Sequence, residues 1–190
     1  MKTWLTITYK VPAEPSRTRV YLWRKLKELG AVYVQQGAAV LPMTETLLAQ
    51  VLALKAEVVS SGGEVLVGKM KFIDEEDDAR VIAAFQLQRD GDYDEIVEQC
   101  ERLVYELDRE TEKEKFTYAE IEENETELTR IHKWMERIVA RDWFAASGHA
   151  RVQQAIEDAE KRSGTYTEEV ECRLGHAIDV NVNLPRGAHS

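Results

Sequence analysis

Lys10, Arg17, Arg19, Arg24, Lys25 and Lys27 place six cations within eighteen residues, and only Glu14 opposes them. Guanidinium and ammonium groups at that density suit polyanions, above all nucleic-acid phosphates, which they hold through charge-assisted hydrogen bonds. Arg17 and Arg24 stand seven residues apart and share one helix face, with Tyr21 one turn from each. An Arg–Tyr–Arg ridge offers phosphate contact with some stacking. The same residues also read as the solvated cationic face of an ordinary amphipathic helix. Nucleic-acid binding through such a ridge would gain mainly from counterion release and would weaken steeply with salt. Gln35 and Gln36 offer a second polar contact, although strand glutamines more often face solvent.

Other residues capable of chemistry do not converge. His132, His149, His176 and His189 are scattered without metal-ligand spacing, and His132 lies beside Lys133 on a charged helix face. There is no glycine-rich phosphate loop, and Gly62-Gly63 reads as a turn. Glu120, Glu122, Glu123, Glu125 and Glu127 straddle several helix faces. That pattern fits a first turn favoured by the helix dipole better than a cation site. Cys100 and Cys172 match no metal spacing, and Cys100 falls in an apolar stripe as a small buried hydrophobe. The expectation is a protein with no catalytic residue, no metal and no cofactor, hence not an enzyme.

The elements that must position the cations follow from periodicity. Trp4 to Val11 reads as a strand stopped by Pro12. Ser16 to Leu29 reads as a helix, with Pro15 and Ser16 at its start and Gly30 at its stop. Its apolar face is assigned to Leu22, Leu26 and Leu29 with Trp23. Ala31 to Leu41 is extended and broken at Gly37, as two short strands or one kinked strand. Thr44 opens a second helix that ends at Gly62-Gly63, and Glu64 to Phe72 is another strand. This order predicts a ferredoxin-like α+β unit over 1–73, with helices on one face of the sheet. A winged-helix domain is the alternative.

After Phe72 the period turns helical. Asp74 to Asp78 forms an acidic first turn, Asp90-Gly91-Asp92 breaks the pattern, and a longer helix runs from Tyr93 to about Glu112. Thr117 caps a further helix, with Glu120 three residues on and Phe116 and Ile121 placed as a hydrophobic staple. These two helices predict an antiparallel hairpin in an all-α segment, 74–163, packed on the first unit. Val152, Ala155, Ile156 and Ala159 fit a short helix. Residues 164–190 form an uncertain tail, in which Ala177 to Leu184 alternates like an edge strand.

The charge is segregated. Residues 1–71 hold ten Lys/Arg against five Asp/Glu, and the remaining 119 hold 15 against 30, within a formal net charge of -10. That asymmetry fits an anion-facing module joined to an acidic one, or simply solvated acidic helices. With no signal peptide read at Lys2 to Trp4 and no membrane-length apolar run, a cytoplasmic protein with no membrane partner is expected.

Tyr9-Lys10-Val11-Pro12-Ala13-Glu14-Pro15-Ser16-Arg17, Trp23-Arg24-Lys25-Leu26-Lys27 and Leu29-Gly30-Ala31-Val32-Tyr33 together resemble the start of the ChrB family of chromate-resistance proteins. Phe116-Thr117-Tyr118-Ala119-Glu120, Glu122-Glu123-Asn124-Glu125 and Arg141-Asp142-Trp143-Phe144 resemble the same family's helical segment. The resemblance implies a bacterial cytoplasmic regulator of a chromate efflux operon, with the N-terminal part holding DNA. It also implies that the family's C-terminal domain, associated with sensing, is absent from this sequence, so a separate sensing domain becomes a candidate partner. A homodimer is the expected assembly, because regulators match two-fold operators. Tyr9 to Pro42 is more weakly similar to the ferredoxin-like nucleases of CRISPR spacer acquisition and to a domain of phenylacetate-pathway repressors. The nuclease likeness would need a metal-binding aspartate where Tyr9-Lys10 stands, and lysine does not ligate magnesium. The main reading is therefore a DNA-binding regulator using Lys10, Arg17, Arg19, Tyr21, Arg24, Lys25 and Lys27. The alternative is an interaction module for a partner subunit or a small oxyanion, without DNA.

Overall fold

The structure, a computed structural model, describes residues 2–10 and 17–182, with side chains described as far as Leu174. The expectations for Val11, Pro12, Glu14, Pro15, Ser16 and Leu184 fall outside the described residues. Among the described residues, four strands and five helices follow in the order β1 (Trp4–Lys10), α1 (Arg17–Glu28), β2 (Val32–Gln35), β3 (Ala38–Pro42), α2 (Glu45–Ser60), β4 (Glu64–Met70), α3 (Glu75–Glu112), α4 (Tyr118–Val139) and α5 (His149–Val182). The chain divides into two compact units. The first holds residues 1–89 and 140–146, and the second holds 90–139 and 147–190.

In the first unit the sheet order is β2-β3-β1-β4, and β1 runs antiparallel to both neighbours. This is the split βαββαβ arrangement of a ferredoxin-like sheet. Alternation along β1 sends Leu5 and Ile7 to one face, where they pack with Leu22 and Leu26 of α1 and with Val51, Leu54 and Val58 of α2. Trp4 points to the other face. There it joins Val32 and Val40 beneath Val81 and Phe85 of α3. The Trp4 and Phe85 rings stack with centroids 5.6 Å apart. Helices α1 and α2 thus take one face, as read from the sequence, while α3 covers part of the opposite face as well.

Two glycines set local geometry. Gly37, at φ +74, allows the tight turn that resolves the extended stretch into two strands, and its carbonyl accepts from the Tyr9 N–H at 2.9 Å. Gly30, at φ +78, ends α1, and the Ala31 N–H reaches back to the Leu26 carbonyl. A Cβ at Gly30 would lie 3.2 Å from the Trp143 ring. The 140–146 segment therefore seats against the end of α1. Arg141 donates to the carbonyls of Lys27 and Glu28 at 3.3 and 3.2 Å, closing the helix with a cation.

Asp78 is the buried carboxylate of this unit. It accepts from the Trp4 indole at 2.6 Å and from the Lys2 backbone N–H at 2.9 Å. Burial pushes its carboxyl upward, but those two hydrogen bonds and the nearby positive charge outweigh it and hold it below its ordinary value.

The second unit gathers the rest of α3 with α4 and α5 around buried Tyr93, Ile96, Leu107, Ile131, Val152 and Tyr166. Two expectations are corrected here. Asp90-Gly91-Asp92 does not break the helix, and α3 runs continuously through it. The Asp90 carboxylate instead accepts from the Gly148 N–H at 2.6 Å and the Ser147 hydroxyl at 3.2 Å, holding the start of α5. The second correction concerns the C-terminal region, where α5 continues through Gly164 to Val182, so Ala177–Val182 is helix rather than edge strand. Val152, Ile156, Ala159, Ser163, Tyr166 and Val170 are all buried at spacings of three and four, which carries the helix past the glycine.

Thr117 caps α4 as expected, its hydroxyl accepting from the Glu120 N–H at 3.3 Å. The Glu120 carboxylate is taken by Lys115, and Phe116 stacks on Tyr166 with centroids 5.8 Å apart. His132 is half exposed and meets Glu160 at 2.7 Å. Cys100 is buried, and burial pushes its thiol up to about 11. Among the described residues no helix is long and apolar enough to cross a membrane.

Candidate nucleic-acid interface

Helix α1 forms because Leu22 and Leu26 repeat at one turn and bury against the sheet, leaving the opposite side to solvent. Three of the anticipated cations, Arg17, Arg24 and Lys27, are exposed there, while Arg19 is exposed near the start of the helix on the Leu22–Leu26 side. Residues 17, 20, 24 and 27 follow the spacing of a single helix face, so Arg17, Val20, Arg24 and Lys27 form one outward ridge. Val20 is 54% exposed and Trp23 48% exposed. The Lys27 ammonium lies 5.6 Å from the centre of the Trp23 ring, within cation–π range. The outward surface is thus cationic with an aromatic plane beside it.

The remaining anticipated residues sit differently. Tyr21 is half-buried and turned toward α2, where its hydroxyl donates to the Glu57 carboxylate. That hydrogen bond, followed by desolvation, pushes the phenol upward. Lys25 binds Glu28 at 2.7 Å. The contact raises the lysine and lowers the glutamate, so this cation is already matched by a neighbour on its own helix. Lys10 alternates with Trp4 along β1 and faces the side of the sheet away from α1. The expected Arg17–Tyr21–Arg24 ridge is therefore better described as Arg17–Val20–Arg24–Lys27, with Trp23 alongside.

Trp23 is the member that periodicity misassigned to the apolar face. A helix turns about 100° per residue, so a side chain next to Leu22 swings clear of the Leu22–Leu26 line. A helical projection of the sequence contains that signal. Gln35 and Gln36 are exposed at the end of β2 and in the turn before β3. The topology puts this turn, the end of β1 at Lys10 and the start of α1 at the same end of the sheet. Lys10 and the glutamines thus share only the end of the sheet with the start of α1, and Lys10 faces away from that helix.

The family model described as "Protein ChrB, N-terminal" matches residues 19–177. The chain belongs to the ChrB family, through its N-terminal part. A curated relative, "Protein ChrB" of Cupriavidus metallidurans, is 30% identical over 82 residues. The match covers 43% of this chain and 25% of the relative, so the chain spans about a quarter of that ChrB protein's length. The matched range contains most of the α1 ridge and the Arg141–Phe144 segment that seats against the end of α1.

Proposed function

We propose that this ChrB-family chain serves chromate resistance as a transcriptional regulator, without catalysis, and that α1 holds DNA through its outward face. The supporting observation is the exposed line of Arg17, Arg24 and Lys27 on a single helix face, with Trp23 beside it. Guanidinium groups spaced along a helix meet successive phosphates, and the indole supplies a flat surface for a sugar or base. Arg19 is exposed on the other side of α1 and stands apart from this line. A homodimer would present two such ridges to a two-fold operator.

The test is a duplex carrying the promoter of the chromate-resistance operon, titrated at several salt concentrations. Three cation contacts per protomer give a log–log salt slope of about -3. Arg17→Ala with Arg24→Ala should abolish binding at moderate salt and flatten the residual slope by about 2. Lys25→Ala should change little, because Glu28 already engages that ammonium. Absent or salt-independent binding by the unaltered chain would defeat the reading.

A second reading, a non-DNA module that binds a partner or a sensing subunit, draws on the acidic neighbours. Glu57 and Glu28 already occupy Tyr21 and Lys25, reducing the number of groups open to a polyanion. It becomes the preferred reading if the duplex does not bind.

A further inference from the structure

The sheet of the first unit has β2 at one edge and β4 at the other. β2 has four residues, and its register with β3 shifts between Tyr33 and Gln35. Short length and a bulge are two devices that keep an edge strand from pairing with another chain. β4 has neither. It runs seven residues in unbroken register with β1. It contains no proline, and its two charges, Glu64 and Lys69, sit toward its ends. Among the described residues no strand pairs with its outer side, so a row of backbone donors and acceptors about 23 Å long lies open.

Apolar side chains flank this edge. Leu66 is 72% exposed on the face opposite Val65 and Val67, and Ile73, just past the strand, is 99% exposed. On α2, Glu57 turns toward α1 to meet Tyr21, while Leu52 and Val59, seven residues apart, stand exposed on the flank away from α1. Val59 shares a surface hollow with Val65 and Leu66. That flank of α2 therefore overhangs the open strand.

We infer that the chain forms a two-fold dimer through this edge, β4 pairing antiparallel with β4 of a second copy and the exposed flanks of the two α2 helices meeting across the axis. This supplies the contact for the homodimer of the regulator reading, on which it rests for its purpose but not for its existence. A lone peptide strand would cover β4 and leave Leu52 and Val59 in water, whereas a two-fold axis near Val67 sets each flank on its own copy. Pairing about that axis puts Val65 opposite Lys69, and Leu66 opposite Gly68, of the second copy, so no like charges face each other along the strands. The strip from Leu66 up to the flank of α2 measures about 23 Å by 20 Å, and the two copies together bury roughly 1,000 Å², the area at which a specific interface begins. Helices over the joined sheet then run α1, α2, α2, α1. At about 8–10 Å between neighbours, the two α1 ridges stand about 30 Å apart, close to the ~34 Å turn of a DNA duplex.

Sedimentation velocity of the full chain without nucleic acid tests it, and its outcome is independent of the duplex titration. A species of twice 21.8 kDa is expected, with a Kd of about 10 μM or tighter. Leu66→Lys places a charge on the strand edge, and Leu52→Glu brings two acids together near the axis. Each should weaken the dimer by about tenfold or more, with the far-UV circular dichroism unchanged because both positions are exposed. Amide exchange along β4 should slow as protein concentration rises in the unaltered chain and not in the variants. A dimer that fails to bind the duplex supports this contact while defeating the DNA reading. A chain that stays monomeric at about 100 μM, well above that Kd, overturns the proposal and leaves β4 to a strand from another protein. A dimer that both variants leave intact overturns it equally, because the contact then lies elsewhere.

Discussion

Asp78 shows how one side chain can fix a strand's end to a helix. Its carboxylate, almost fully buried, takes the Trp4 indole N–H and the Lys2 backbone N–H. Replacing Trp4 with Phe removes one donor to a charged acceptor and trims a fully buried ring, which should cost about 2–4 kcal/mol by urea denaturation. The pH dependence follows from the direction of the Asp78 shift. Its folded value lies below its ordinary 3.8, so the carboxylate contributes stability above that pH and loses it as pH falls through the lower folded value. The gap between wild type and Trp4→Phe should hold steady down to about pH 4 and narrow below it. Neither partner announces this role in the sequence. Trp4 reads only as a β-favouring aromatic and Asp78 as one of several acids in a first turn, because a contact across 74 residues leaves no local pattern.

At the scale of elements, the two helix-ending glycines separate backbone strain from packing. Gly30 and Gly62 both have left-handed φ, at +78 and +82. Either alanine substitution should cost about 1 kcal/mol from the conformation alone. Gly30→Ala must also push on the Trp143 ring at 3.2 Å, whereas nothing lies within 4 Å of Gly62. The urea midpoint should therefore fall further for Gly30→Ala, and equal shifts would show that the Trp143 contact carries no energy. The order strand, helix, extended stretch, helix, strand was legible because proline, glycine and the switch from alternation to helical spacing punctuate it, while the division of that stretch into two strands at Gly37 stayed open. The two long helices were not. Asp-Gly-Asp looks like a breaker, yet Asp90 finds its partners at Ser147 and Gly148, far along the chain. Gly164 likewise hides inside α5 because Tyr166 and Val170 resume the buried stripe beyond it. The ridge was half legible. Composition located the cations, but which face each one occupies depends on Glu57, Glu28 and the strand alternation at Lys10.

For the whole molecule, uneven charge matters more than its total. A chain of net charge -10 should be repelled by polyanions, yet residues 1–71 carry the positive excess. Fields near a surface follow local charge within about 10 Å at moderate salt. The full chain should therefore be retained on heparin resin at low salt and elute as salt rises, and Arg17→Ala with Arg24→Ala should pass through. Passage of the unaltered chain would mean that the acidic majority dominates the field. One feature of the fold also bears on the order in which this surface is made. The guanidinium that closes the end of α1 belongs to Arg141, 113 residues beyond Glu28. During synthesis the ribosome releases the basic helix long before it releases the clasp. The final turn of that helix, with Lys27 on it, is first closed by its own glycine and gains the Arg141 contact only after 113 more residues have followed.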